Sequence, residues 1–202
     1  MTLVNAKVPI LIANHFQNEN CHPDGKIKVG ISVESAWRDL RLGNARKLFN
    51  AARRSGIQIV HVRLAVDPDY RGVDVNTPLI EEWVELGAWR EGTWGVAFLE
   101  GLGPVDYELV ITHTRNSAFH GTDLQDRLAE MGADLLICCG VSTAYTVEGT
   151  VRHATDIGYE VTVAADACST ATAAQHEASL AAMERLARIC TTDELIAEFA
   201  KR

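Results

Sequence analysis

The chain has 202 residues, 47% hydrophobic and 23% charged, which is enough for one well-buried core. A formal net charge of −8, with no basic cluster to interrupt it, argues against a nucleic-acid or anionic-membrane surface. The five cysteines are odd in number and show no CxxC spacing, which suits free thiols in a reducing cytoplasm rather than disulfides or zinc.

The first 13 residues carry one cation, Lys7, and an apolar run that is too short to span a membrane and has no signal-peptide cleavage pattern. Residues 8–13 therefore read as a buried parallel strand, with Pro9 tolerated near its start. Residues 33–55 have helical spacing, closed by Gly56, and 57–62 form a second strand. Residues 65–103 hold Trp83, Trp89 and Trp94 together with Pro68 and Pro78 and show little periodicity. A loop of that length usually serves as a wall or lid over a site. A third strand is expected at 108–112, a helix at 123–131 closed by Gly132, and a fourth strand at 133–139. A helix at 141–157 stopped by Gly158, a fifth strand at 159–164 and a long helix at 173–189 follow. Thr191 and Glu194 then offer a capping box for a final short helix.

No repeat, low-complexity tract or linker divides residues 1–202, so a single domain is expected. Strands alternating with helices predict an α/β three-layer sandwich around a central, mostly parallel sheet. Ligands bind such sheets at the carboxyl ends of the strands.

Three segments carry chemistry. Asn14-His15-Phe16-Gln17-Asn18 follows the first apolar run, and His113-Thr114-Arg115-Asn116-Ser117-Ala118-Phe119 follows the third strand. Gly140-Val141-Ser142-Thr143-Ala144-Tyr145-Thr146-Val147 follows the fourth. Together they resemble the isochorismatase-like family of cysteine hydrolases, which includes nicotinamidases and N-carbamoyl hydrolases. The resemblance runs from about residue 8 to the C-terminus. It implies an Asp acting as base, a Lys that holds charge, a Cys nucleophile, and an oxyanion site of backbone N–H groups after the fourth strand. It also implies a cis peptide, which here falls at Val141–Ser142.

The chain departs from that pattern at all three catalytic positions. His15 stands in place of the Asp (Asn14 if the register shifts by one), His113 in place of the Lys and Thr146 in place of the Cys. A threonine hydroxyl is a poor nucleophile without a strong base, so the family's thioester route is not expected. His15, His113 and Thr146 are the catalytic candidates, with the imidazoles moving protons near neutral pH. Phe16, Arg90, Trp94, Phe119, Val141, Ser142 and Tyr145 are the candidate substrate contacts. Trp89 and Trp94 could form a wall, with Arg90 as an anion handle. Each also has a plainer reading: a hydrogen-bonded structural histidine, a threonine bonding back along its helix, a tryptophan packed under a loop. Cys138 and Cys139 read as core thiols, Cys21 beside His22 as incidental, and Gly140 and Gly149 as a tight turn and a close helix contact.

The expected activity is hydrolysis of a small organic molecule at an amide, lactam or enol/vinyl ether bond, without cofactor or metal. Family members that cleave vinyl ethers lack the cysteine but keep the acid, which His15 would have to replace. The alternatives are a silent binding protein or subunit that retains the fold, and a metal-assisted hydrolase using His15, His113 and His22 or His120. No HxH or HExxH spacing supports the latter. The expected partner is a small-molecule substrate, in a cytoplasmic homo-oligomer (dimer or tetramer).

Overall fold

In the computed structural model residues 7–30 and 34–202 are described, and their strands form one parallel sheet. The strands are β1 (Pro9–Asn14), β2 (Gln58–Leu64), β3 (Leu109–His113), β4 (Leu135–Val141), β5 (Glu160–Ser169) and β6 (Arg188–Cys190). Their order is β3-β2-β1-β4-β5-β6, so β1 and β4 lie at the centre, with Asn14 opposite Gly140. The sequence accounts for this placement. β1 is buried at every position and β4 at all but its first, as strands covered on both faces require. β3, at the edge, leaves Val110 and Thr112 exposed.

Parallel neighbours need crossovers, and the helices supply them. They are α1 (Asn18–Cys21), α2 (Ser35–Arg54), α3 (Pro78–Glu85), α4 (Leu124–Glu130), α5 (Glu148–Asp156), α6 (Ala173–Met183) and α7 (Thr192–Phe199). α2 packs with α7 and α5 with α6, and helices cover both faces of the sheet. The chain runs outward from β1 to β3 and then returns to β4, beside β1. The winding therefore reverses between β1 and β4, where such sheets open a crevice at their carboxyl ends. No helix among the described residues is long and apolar enough to cross a membrane.

Several expectations need correction. The helix expected from residue 33 begins at Ser35; Val33 lies outside the described residues. The helix expected at 141–157 starts later: Val141 closes β4, and Thr143–Val147 makes a wide π-type turn before α5. The helix expected at 173–189 ends at Met183, and Arg188–Cys190 pairs with β5 as a sixth strand. Three residues are too few to show a period. The long segment after β2 contains α3, with Thr77 capping Ile80 N and Pro78 in the first turn, and a tight turn at Trp94–Val96. The capping box of Thr191 and Glu194 is present, as is the Val141–Ser142 cis peptide.

Candidate active site

The chain leaves β1 at His15 with φ of 51°, a left-handed conformation that is uncommon without glycine. Its N–H donates to Val62 O at 2.8 Å, so the strained residue is still tied to the sheet. His113 is the last residue of β3, opposite Leu64. Both side chains are buried, and their Nε2 atoms are hydrogen-bonded to each other. His113 Nδ1 lies 3.0 Å from Ser117 O. A carbonyl oxygen can only accept, so His113 carries its proton on Nδ1 and its Nε2 must accept from the Nε2–H of His15. That leaves Nδ1 of His15 with a lone pair and no protein partner among the described residues. Burial holds both imidazoles neutral: it brings His113 down to about 4, and burial together with His113 puts His15 well below the usual histidine value.

The third element is the turn after β4. Gly140 is required there, because a Cβ would fall 2.3 Å from Asn14 O where β4 meets the exit of β1. Ser142 Oγ bonds Thr170 Oγ1 at 2.6 Å, and Thr143 Oγ1 bonds His176 Nδ1 at 2.9 Å, which fixes the turn. Thr146 follows, 1% exposed, and its hydroxyl has no hydrogen-bond partner among the described residues. His15, Trp83, Trp89, Val141, Ser142, Tyr145 and Thr146 line one cavity of about 30 Å³. That is room for about one or two waters. The indole N–H groups of Trp83 and Trp89 also lack partners among the described residues. Three residues that line the cavity thus each hold a buried polar atom without a partner among the described residues, a costly arrangement.

Polar residues of the first helix hold this wall in place. Gln17 Nε2 donates to Leu64 O and Val96 O, and its Oε1 accepts from Leu64 N. Asn20 Nδ2 donates to Val141 O at 2.8 Å. Glu19, 3% exposed, accepts from Trp89 N at 3.3 Å and so steadies a residue whose φ is 62°. Burial raises the Glu19 carboxyl. The sequence signals only the Gln17 and Asn18 part of this scaffold, through the strand-end motif. Glu19, Asn20 and the wall position of Trp83 escape it, because one turn of helix carries no periodicity.

Not every expected contact reaches the cavity. His15, Thr146, Val141, Ser142 and Tyr145 line it, and His113 adjoins it through His15. Asn14, the other reading of the acid position, instead turns inward to Cys139 O. Four expected substrate contacts do not line it. Phe16 packs edge-on against Phe49 in the core, and Phe119 packs on His153 and Tyr159. Arg90 is exposed, and Trp94, 53% exposed, meets His22 edge-on. Apolar size sent the two phenylalanines to the core, and the tight turn after Trp89 carried Arg90 and Trp94 outward. Trp89 does form a wall. All five cysteines are free and buried, and none lines the cavity. Burial raises every thiol, Cys190 to about 11 and Cys168 to about 12. Among the described residues no group of three His, Cys, Asp or Glu side chains is placed to hold a metal.

Sheet, switch point and cavity define a doubly wound α/β protein with a cavity at the carboxyl edge of its sheet. The isochorismatase domain model matches residues 9–194, and the chain belongs to the isochorismatase family, a family of hydrolases. It is 33% identical over 164 residues to the uncharacterized isochorismatase family protein YecD of Escherichia coli O157:H7, covering 77% of this chain and 81% of YecD. It is 26% identical over 132 residues to the ureidoacrylate amidohydrolase RutB of Agrobacterium fabrum, covering 58% of this chain and 57% of RutB. A cysteine hydrolase from Pseudomonas syringae pv. phaseolicola superposes with a TM-score of 0.84 over 96% of this chain and 93% of its own, at 22% identity.

Proposed function

We propose that the chain hydrolyses a small organic molecule at an amide, lactam or enol ether bond, with His15 as acid–base and no covalent intermediate. The observation that carries this reading is the direction of the histidine pair. A neutral imidazole with a free Nδ1, backed through Nε2 by a second imidazole, is a general base in its working form. For an amide, Nδ1 of His15 takes a proton from water as the water oxygen bonds to the carbonyl carbon. The oxygen that becomes negative is met by unpartnered donors of the cavity wall, the Thr146 hydroxyl and an indole N–H. His15 then returns the proton to the departing nitrogen, and the C–N bond breaks to give acid and amine. His113 keeps the pair aligned and shares the transient charge.

Thr146 is a donor in this scheme, its hydroxyl having no hydrogen-bond partner among the described residues that would draw off its proton. The amidohydrolase relative RutB supports an amide-type bond as the first to try. The test is a panel of small amides, lactams and enol ethers with wild-type chain and His15→Gln, followed by intact-mass analysis of protein quenched during turnover. Turnover without adduct, and its loss in His15→Gln, is expected. An acyl adduct on any residue, or equal rates for the two chains, would overturn the mechanism.

A further inference from the structure

The reaction cavity is too small for a whole substrate, and a second cavity of about 480 Å³ lies against it. That volume is in the range of small-ligand sites. Leu79, Trp83 and Asn116 line both cavities, so the two adjoin at these residues. The second cavity also touches the histidine relay. Ser117, whose carbonyl fixes the proton of His113, turns its hydroxyl toward His153 Nδ1 at 3.0 Å, and both residues line this cavity.

Arg115 is the strongest donor in the second cavity. Its Nη1 donates to Asp74 O and Asn76 Oδ1, each at 3.2 Å, and its Nη2 reaches Asp74 Oδ2 at 3.3 Å. These bonds occupy the end of the guanidinium. Its side, Nε–H and the second hydrogen of Nη2, has no protein partner among the described residues. That side is a fork whose geometry matches the two oxygens of a carboxylate. Asp74 is a weak competitor for the charge, since its side chain is 86% exposed while that of Arg115 is 23% exposed.

We propose that this second cavity is an anion subsite of the substrate. Arg115 takes a carboxylate on its Nε–Nη2 side, while the rest of the molecule passes Asn116 and Trp83 to present its reacting bond to His15. The inference rests on the reading of the His15 cavity as the reaction site. It narrows the substrate class to small amides that carry a carboxylate a few atoms from the scissile bond. The anion handle that the sequence placed at Arg90 is thereby assigned to Arg115.

The experiment is calorimetric titration, at neutral pH, of the full chain with malonamate, succinamate and glutaramate and with the neutral diamides of the same lengths. At least one monoamide should bind about 10-fold or more tightly than its diamide. Arg115→Gln should abolish that ratio, Arg115→Lys should keep part of it, and Asp74→Asn should preserve or increase it. Thermal unfolding of each variant checks that it is folded, and Arg115→Lys retains the charge should Arg115→Gln fail to fold. Equal binding of monoamides and diamides, no binding of either, or a ratio that survives in Arg115→Gln would overturn the subsite. Turnover is not the readout, so the two readings fail separately. A chain that hydrolyses none of these amides yet keeps the Arg115-dependent preference, in wild type and His15→Gln alike, removes the reaction and supports the subsite. A chain that hydrolyses both series without dependence on Arg115 removes the subsite alone.

Discussion

His15 and His113 meet through their Nε2 atoms, and the direction of that hydrogen bond is set from outside the pair, by the carbonyl of Ser117. Ser117 sits in the loop after β3, so the protonation pattern of the pair is written into the backbone of a neighbouring element. The same loop supplies Asn116 to the cavity and Arg115 to the space beside it. A single segment therefore sets the direction of the histidine pair and borders both cavities.

The first prediction concerns pH. The working form of His15 is neutral and its pKa is lowered, so the base is available above the lowered value and is lost as pH falls through it. An unperturbed pair would show a limb near about 6.5. The burial found here moves that limb to the acid side, so the rate should be flat across neutrality. His15→Ala and His113→Ala should each lower the rate by about 10²–10⁴-fold. Profiles of kcat/KM against pH for the three proteins check this, and a wild-type limb at pH 6–7 would contradict the buried neutral pair.

The same burial sets a stability window. His113 titrates at about 4 when folded, so the unfolded chain binds more protons as pH drops below about 6.5. Its contribution is fully present above that value and is lost on the way down to pH 4, amounting to about 3 kcal/mol there. His176, also lowered to about 4 mainly by burial, acts in the same direction. Denaturant unfolding at pH 7.5, 6 and 5 should show a steady decline that is shallower in His113→Phe. An unchanged slope in that variant would remove His113 as a source of the decline.

Much of the fold was legible in the sequence, because β1, β4 and α2 are long enough for burial to leave a pattern. The candidate site was legible only at strand ends: His15, His113 and Thr146 gather at one carboxyl edge because β1, β3 and β4 all run parallel. What the residues could not reveal was rotation within loops. Trp89 faces the cavity and Trp94 faces outward on one segment, and only the positive φ of Trp89 and the turn at Trp94–Val96 separate them. The sixth strand was hidden because three residues alternate just once.

The thiols give a further prediction. All five are buried and raised above the ordinary cysteine value, so little thiolate is presented to reagent. Native protein treated with iodoacetamide at pH 7.5 should keep its activity and its mass, while unfolded protein should gain five labels. Rapid native labelling at Cys21, with inactivation prevented by Cys21→Ser, would show that a thiol takes part in the chemistry.

Glu19 and Gly95 are fitted to one another. A Cβ on Gly95 would fall 1.8 Å from Glu19 Oε2, so Gly95→Ala must displace a buried carboxyl that holds the Trp89 backbone. The variant should lose about 1–3 kcal/mol by overpacking. Glu19→Gln keeps an oxygen for Trp89 N and should cost less. Thermal unfolding ranks the two, and a Gly95→Ala protein as stable as wild type would show that Glu19 is free to move.

Thr146 separates stability from function most cleanly. Its hydroxyl is buried without a partner among the described residues, so the fold they form gains nothing from it and bears its desolvation. Thr146→Val keeps the shape and removes the oxygen. Stability should therefore stay level or rise by up to about 1 kcal/mol, where most buried substitutions destabilise. If the hydroxyl donates to the developing oxyanion, the same change should lower kcat by about 10²–10³-fold, the usual effect of losing one such donor, with KM little changed. Thr146→Ser, which keeps the oxygen, should recover most of that rate. Unfolding midpoints and steady-state rates for the two variants decide the matter. A Thr146→Val chain with unchanged kcat would remove the hydroxyl from the mechanism, and one that is strongly destabilised would mean the hydroxyl has a structural partner after all.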